Sequence, residues 1–196
     1  MAVVRTAGFS DPGHDSQRVF RDVMMALARP ASVRTLAADV DPPSPLTREL
    51  AGVALALADH DAPVWLDDRL AAAPEVRDFL TFHTGAAIVD APGAAAFALA
   101  CDPDGVPDFE TLAQGSDDYP DRSTTLVVAV DGLEAGNGLR VAGPGVRAEA
   151  RLAVTPPLPW IADILASNHT QFPRGLDVIL VAPGTIAGLP RSLRAI

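Results

Sequence analysis

The sequence predicts a layered α/β/α domain in which helices cover both faces of a mostly buried mixed sheet. Amphipathic helical segments alternate with short apolar runs along the 196 residues. The two strongest runs, 124–130 and 177–181, are continuously apolar, which is typical of strands with both faces covered. The length and the hydrophobic fraction of 48% allow one full core. We therefore predict a single domain over residues 1–196.

Four helices are predicted from apolar residues that recur at helical spacing. They cover 15–30 and 44–59, begin near Pro74, and follow the prolines at 156–159. In the first helix we expect an Arg18–Asp22 ion pair on the solvent-exposed face. The predicted helix starts are Asp15 or Ser16, and Ser44 with Pro45 in the first turn. The predicted inward residues are Val19, Phe20, Val23, Met24 and Leu27; Leu46, Leu50, Val53, Ala54 and Leu57; Val76, Phe79 and Leu80; and Trp160, Ile161, Ile164 and Leu165.

Weaker apolar runs complete the predicted sheet. Strands are expected at 64–66, 87–89 and 96–100, and a further one at 139–142 precedes the glycine turn 143–145. The polar stretch 102–122 is expected to be mostly loop, with room for one short helical turn.

Composition excludes several classes of function. All 15 basic residues are arginines, so a Walker phosphate loop and a Schiff-base lysine are both impossible. A net charge of −10 argues against a nucleic-acid surface. No apolar run approaches a membrane span, and residues 1–13 do not resemble a signal peptide. With Cys101 as the single cysteine, we expect a soluble cytoplasmic protein.

Histidine, serine and metal chemistry find little support in the motifs. His83 could be a general base, but a histidine in the last turn of a helix also interacts favourably with the helix dipole, and Gly85 would cap that helix. Ser123 lacks a nucleophile elbow. No metal motif is present, so we expect no metal and no catalytic residue that the sequence alone can assign.

The sequence supports two alternative roles for Arg174. It could clamp a carboxylate or phosphate with its two-pronged guanidinium, or it could pair with Asp177 or a nearby acid and lock the turn into the strand at 177–181.

The ordered set of short motifs is more specific than any one of them, and it resembles the PhnH family, the H subunit of bacterial carbon–phosphorus lyase. The resemblance runs from Gly8 to Ser192, with Ala31 standing where the family pattern has glycine. The motifs are "GFSDP" at 8–12, "ARP" at 28–30, "FHTG" at 82–85, "YPDRSTTLVV" at 119–128, "GPG" at 143–145, "FPRGLDVIL" at 172–180 and "LPRS" at 189–192.

The resemblance implies a role in phosphonate breakdown. The family assembles with the G, I and J subunits, and together with G, I and L it is associated with formation of ribose 1-phosphonate 5-triphosphate from MgATP and a phosphonate. The implied fold is similar to the large domain of PLP-dependent transferases but without the cofactor, and the isolated subunit is implied to be a homodimer. No cofactor, nucleic acid or membrane is expected, and catalysis by the lone chain is left open.

The residues that match the distinctive family stretches are the candidates for an interface or pocket. Our hypothesis is that Arg174 and Asp177 fix a turn that presents a subunit-contact surface, and that His83 supports it. The alternative is a stand-alone enzyme or binding protein that holds a small phosphorylated or phosphonylated ligand with Arg174 and His83. The candidates are Arg29, His83, Thr84, Gly85, Ser123, Arg174, Asp177 and Arg191.

Overall fold

The computed structural model describes residues 7–196, and it has the predicted α/β architecture with a mixed central sheet. Residues 1–13 were expected not to form a signal peptide, and the first six of them lie outside the described residues. The helices are α1 (Pro12–Ala28), α2 (Arg48–Leu57), α3 (Asp68–Ala71), α4 (Pro74–Thr84) and α5 (Trp160–Gln171). The strands are β1 (Arg34–Thr35), β2 (Val64–Leu66), β3 (Ile88–Val89), β4 (Phe97–Ala100), β5 (Thr125–Ala129), β6 (Gly132–Ala142), β7 (Ala150–Thr155), β8 (Asp177–Ala182), β9 (Thr185–Leu189) and β10 (Arg194–Ala195).

The central sheet has seven strands in the order β1-β9-β8-β5-β4-β2-β3. The five strands from β8 to β3 are parallel, whereas β9 runs antiparallel to both of its neighbours. All five parallel strands therefore begin at one end of the sheet, which we call the amino edge, and finish at the other, the carboxyl edge.

The two central strands are buried on both faces, as their continuous apolar sequences predict. Val127 and Ile179 belong to the core beneath α1, α2 and α4, whereas Leu126 and Leu180 belong to the core on the α5 side. All four side chains are fully buried. Alternate residues of one strand thus serve two separate cores, which requires every position to be apolar.

The layer on the α5 side is only partly helical, which the sequence did not predict. A second sheet, in the order β10-β6-β7, contributes Val141 and Leu152 to that core beside α5. The 139–142 run is only the end of β6, because the strand begins at Gly132 and contains an irregularity between Ala135 and Leu139. Residues 134–138 are all exposed, so they carry none of the apolar alternation that marks a half-buried strand.

Helix α1 starts one turn earlier than predicted. Asp11, not Asp15 or Ser16, is the cap: its carboxylate accepts the His14 amide, and Pro12 opens the helix. Asp15 instead accepts the amide of Asp11 at 3.0 Å and pairs with Arg18 at 2.8 Å, so the expected Arg18–Asp22 pair is wrong.

The buried stripe of α1 is also narrower than predicted. Phe20 and Met24 are about half exposed, at 48% and 52%, because Val19, Val23 and Ala26 face the sheet instead. The prediction that Phe20 and Met24 point inward is wrong, because the helix is rotated so that they meet solvent, and Leu27 is only partly buried.

The other helices follow the sequence with smaller changes. Helix α2 begins at Arg48 with Thr47 as its cap, not at Ser44 and Pro45, because the Thr47 hydroxyl accepts the Leu50 amide at 3.2 Å. Leu57 and Trp160 are only partly buried, whereas the other predicted inward residues of α2, α4 and α5 are buried. The 102–122 stretch is mostly loop, as predicted, but it holds three single 3-10 turns and not one, at Pro103–Gly105, Phe109–Thr111 and Pro120–Arg122.

The chain between α1 and β1 contains a backbone conformation that L residues rarely adopt. Ala31 has φ of 56° and is buried, and its amide donates to the Gly188 carbonyl at 3.0 Å. A glycine would adopt this left-handed conformation without steric cost, and glycine is the residue that the resemblance led us to expect at this position.

Candidate functional site

The candidate residues lie at the amino edge of the central sheet. Ser123 precedes β5, and Arg174 and Asp177 lead into β8. Arg191 follows the antiparallel β9 and so returns to the same edge, and Arg29 ends α1 near the β9 residue Gly188. His83, Thr84 and Gly85 precede β3, also at the amino edge.

Asp177 and Arg191 form the best-developed polar contact of this edge. Arg191 donates from Nη2 to Asp177 Oδ2 at 2.5 Å and from Nε to Oδ1 at 3.3 Å. The Arg191 backbone amide also donates to Oδ1 at 2.8 Å. The side chains are only 15% and 21% exposed, so the pair is shielded from solvent on most sides. Such a two-pronged, largely buried ion pair fixes the relative position of the β8 start and the β9 end.

Further bonds tie the 114–123 loop to the same pair. Arg191 Nη1 donates to the Pro120 carbonyl. The Gly175 amide donates to the Gln114 carbonyl at 2.9 Å, and Gln171 Nε2 donates to Gln114 Oε1 at 3.1 Å. We call the segments 114–123, 171–177 and 190–192 the amino-edge cluster.

Arg174 partly follows the second of the two hypotheses made for it, which was a pair with Asp177 or a nearby acid. Its Nε lies 3.4 Å from Asp117 Oδ1, so it pairs with a nearby acid, but Asp177 is occupied by Arg191. Both side chains of the Arg174–Asp117 pair are well exposed, at 44% and 84%, so the pair is expected to contribute little to stability. The turn that Arg174 was expected to lock is held instead by Arg191.

The amino-edge cluster carries exposed aromatic side chains. Tyr119 is 51% exposed and Phe172 is 61% exposed. The Arg122 guanidinium lies over the Tyr119 ring at 4.1 Å from its centroid. Tyrosine, phenylalanine and arginine are enriched in protein interfaces, and here they stand on loops that Arg191 and Gln114 hold in place.

Ser123 is buried, and its hydroxyl oxygen has no hydrogen-bond partner among the described residues. The neighbouring Thr124 is fully satisfied, since its Oγ1 donates to the Ala95 carbonyl at 2.7 Å and accepts the Ala113 amide at 3.2 Å. With no base bonded to it, the Ser123 hydroxyl lacks the activation that a nucleophile needs.

The residues 83–85 end α4. Gly85 has φ of 73° and its amide donates to the Thr81 carbonyl, so it is the predicted C-terminal cap. Thr84 Oγ1 donates to the Leu80 carbonyl at 2.7 Å and accepts the Ala86 amide. The His83 ring lies 4.6 Å from the Phe79 ring and 5.0 Å from the Phe82 ring, measured between centroids. It also lies so close to Gly8 that a Cβ there would come within 2.6 Å of it.

His83 and Arg174 stand far apart along the edge. Three strands, β5, β4 and β2, separate β8 from β3. Four strand spacings amount to about 19 Å. The structure therefore does not bring His83 and Arg174 around one small ligand, nor does it place His83 beside the turn that contains Arg174.

The carboxyl edge holds a buried carboxylate that the sequence analysis missed. Asp67, fully buried, accepts the amides of Leu70 at 2.8 Å, Cys101 at 2.7 Å and Asp102 at 3.1 Å. It thereby joins the end of β2 to the end of β4. Burial, and next the negative charge of Asp67, raise the pKa of the Cys101 thiol to about 11. An acid between an apolar strand and a helix start is a recognisable capping signal, which could have identified Asp67.

This edge is where open α/β sheets usually bind ligands. The chain passes from β2 outward to β3 and then back across β2 to β4, so the strand order reverses between β2 and β4. Ligands of such sheets bind in the crevice at that reversal. In this chain, the Asp67 carboxylate and the three backbone amides that donate to it occupy the point of reversal.

Within residues 7–196, no group of three or more His, Cys, Asp or Glu residues is arranged to hold a metal ion. No helix in the same range is long and apolar enough to cross a membrane.

Comparison with known proteins agrees with the order of motifs in the sequence. A family model described as bacterial phosphonate metabolism protein (PhnH) matches residues 7–195. The chain is 38% identical over 191 residues to the alpha-D-ribose 1-methylphosphonate 5-triphosphate synthase subunit PhnH of Rhizobium meliloti (strain 1021), covering 97% of this chain and 95% of that protein. It is 35% identical over 78 residues to the putative C-P lyase subunit protein HtxG of Stutzerimonas stutzeri, covering 40% of each chain.

Proposed function

The chain belongs to the PhnH family, and we propose that it is a subunit of a carbon–phosphorus lyase assembly that forms ribose 1-phosphonate 5-triphosphate from MgATP and a phosphonate. The observation that carries the proposal is the similarity to a named synthase subunit along 97% of this chain. Because the match covers both proteins almost completely, the two chains are comparable as whole subunits.

The partners proposed for it are the G, I and J subunits of that assembly, with L for the synthase step. In isolation it is proposed to be a homodimer, and its location is proposed to be the cytoplasm. Its role is mainly structural: it shapes the assembly and has no catalytic residue of its own.

The proposed fold relationship is to the large domain of PLP-dependent transferases. The seven-stranded, mostly parallel sheet with the antiparallel β9 supports it. The chain has no lysine that could bind that cofactor covalently. A cofactor-free relative of that fold is consistent with both observations.

The proposed contact surface is the amino-edge cluster. The Asp177–Arg191 pair and the bonds to Gln114 hold three loops together, and Tyr119 and Phe172 project from them. Exposed aromatic side chains on a rigid support lose little conformational entropy when a partner covers them. Arg174 stands on the same surface, at a distance from His83.

The first experiment is purification of the tagged chain from its own bacterium grown on a phosphonate, with the mass of the eluted species measured. We expect a large species that contains the other lyase subunits. A species no larger than a homodimer, with nothing bound, would contradict the proposal. Thermal melting with ATP, phosphonates or ribose phosphates would then test the stand-alone alternative, because a ligand at 100 times its Kd stabilises the folded chain by about 2.7 kcal/mol.

A second experiment tests the contact surface itself. Arg174→Ala is compared with Arg151→Ala, because both arginines are about equally exposed, at 44% and 45%, and each pairs with one acid at 3.3–3.4 Å. We expect Arg174→Ala to weaken assembly and Arg151→Ala to leave it unchanged. If the folded Arg174→Ala variant assembles normally and loses only ATP-dependent phosphonate coupling, the contact role is wrong and an anion site is favoured.

A further inference from the structure

A cleft of about 250 Å³ opens at the carboxyl edge, on the opposite end of the sheet from the amino-edge cluster. It lies between the start of α2 and the ends of β4, β5 and β8. None of the family-like motifs that mark the candidate site lines it, so the proposed contact surface does not account for it.

The floor of the cleft is apolar and its mouth is acidic. Ala129, Val130, Val181 and Ala182 form the floor and are buried in the sheet. Two carboxylates, Glu49 and Asp131, line the mouth, and no arginine is among the described residues that line the cleft.

The two carboxylates are available to an incoming group. Glu49 is half-buried and accepts the Gly184 amide through Oε1 at 2.8 Å, which fixes it at the mouth. Asp131 is exposed, and its side chain has no ion pair or hydrogen bond to any residue in the described range 7–196.

The surroundings reinforce the negative charge. Asp102 and Asp104 follow β4 at the same edge, and Arg69 is paired with Asp102 at 3.2 Å. The chain as a whole has a net charge of −10. The overall negative charge therefore attracts a cationic group that approaches this edge.

We propose that the cleft is a docking site for an arginine or lysine side chain on a segment of a partner subunit. The aliphatic stem of such a side chain would lie on the floor formed by Val130 and Val181, and its charged head would reach Glu49 and Asp131. The apolar floor combined with acidic groups at the mouth matches this amphipathic side chain and no anionic or wholly apolar one. The proposal rests on the proposed function only in taking the occupant from a partner subunit.

The cleft is tested directly with a small probe. N-acetyl-arginine amide is titrated into the isotope-labelled chain and the backbone amide shifts are followed, with N-acetyl-citrulline amide as the neutral control of nearly the same shape. We expect progressive shifts at Val130, Asp131 and Gly184 with the arginine probe, and their loss in Asp131→Asn. Equal shifts with both probes, or none at these amides, would overturn the proposal.

The second test uses the assembly. The chain is co-expressed with the other lyase subunits, either unchanged or as Asp131→Arg, with Asp90→Arg as the control because Asp90 is 98% exposed and follows β3, three strands away from β5 along the same carboxyl edge. We expect the co-purified subunits to fall at least about tenfold for Asp131→Arg and to be unchanged for Asp90→Arg. Normal assembly of Asp131→Arg would refute the proposal that the cleft is a docking site. If the unchanged chain fails to assemble, the proposed function fails, while the arginine titration still decides whether the cleft binds a cation.

Discussion

Replacing Asp177 with alanine removes one partner of the most shielded ion pair among the described residues. Arg191 would lose the acceptor of its two guanidinium bonds and of its backbone amide, at 2.5, 3.3 and 2.8 Å. Its side chain is 15% exposed, so water could restore only part of its solvation. The variant therefore leaves a largely buried charge without its counter-ion.

The expected cost follows from that geometry. Breaking a fully buried ion pair from one side costs about 3–5 kcal/mol. The side chain of Asp177 is 21% exposed, and the Pro120 carbonyl still accepts one bond from Arg191, so the lower end of the range applies. We expect a loss of about 3 kcal/mol in the free energy of unfolding, which lowers the Tm by about 6–12 °C in a chain of this size.

Urea denaturation measures this loss, provided the slope m stays the same for both chains. Glu149→Ala is the matched control: Glu149 also accepts two guanidinium bonds, one each from Arg140 and Arg151, but it is 40% exposed on the β6–β7 hairpin, so its loss should cost much less than the loss of Asp177. The double variant Asp177→Ala with Arg191→Ala should lose little more than Asp177→Ala alone, because the second change removes the stranded charge. A cost for Asp177→Ala as small as that of the control would refute the reasoning.

Three further outcomes are expected. Asp67→Ala should lower the free energy of unfolding by about 3 kcal/mol or more in chemical denaturation, since three amides lose a fully buried acceptor; an unchanged midpoint would contradict the described bonds. Cys101 should react slowly with a disulfide reagent at pH 8 in the folded chain and rapidly in urea, because folding raises the pKa of its thiol from 9.0 to about 11. The contribution of this thiol to stability is present below pH 9 and is lost as the pH rises towards 11. Denaturation curves measured across that pH range check this loss. Gly175→Ala should destabilise the fold by about 2 kcal/mol or more, because Gly175 has φ of 131° and a Cβ would lie 2.2 Å from Asn168 Oδ1, whereas Gly136→Ala meets no atom within 4 Å; equal thermal shifts for the two variants would show that the clash is absent.

The five parallel strands of the central sheet were predicted, and the inner ones give the clearest signal because they are buried on both sides; the antiparallel β9 and the two-residue β1 were not predicted. The apolar runs at 64–66 and 177–181 correspond to β2 and β8, since burial against two cores leaves an uninterrupted signal. The β6–β7 hairpin could not, because its exposed residues 134–138 carry no such signal. The rotation of α1 was hidden for a related reason: Phe20 is apolar whether it faces the core or solvent, so periodicity alone cannot orient the helix.

The candidate site was predicted as a set of residues but not as a set of contacts. The sequence placed Arg174 and Asp177 together, because they are three residues apart. The real partner of Asp177 is Arg191, fourteen residues further along the chain, and the β8–β9 hairpin brings it there. Pairings that depend on how strands return to an edge follow from topology, and residue spacing carries no information about them.

The Asp67 carboxylate has a consequence for affinity. It occupies the crevice at the reversal of strand order with a negative group that the chain supplies itself, tied by three amides. A small anion could settle there only by displacing it. If that displacement costs about 3 kcal/mol, the anion would bind roughly a hundredfold more weakly than to the same amides left open. At this position the chain therefore supplies its own competitor for any anion.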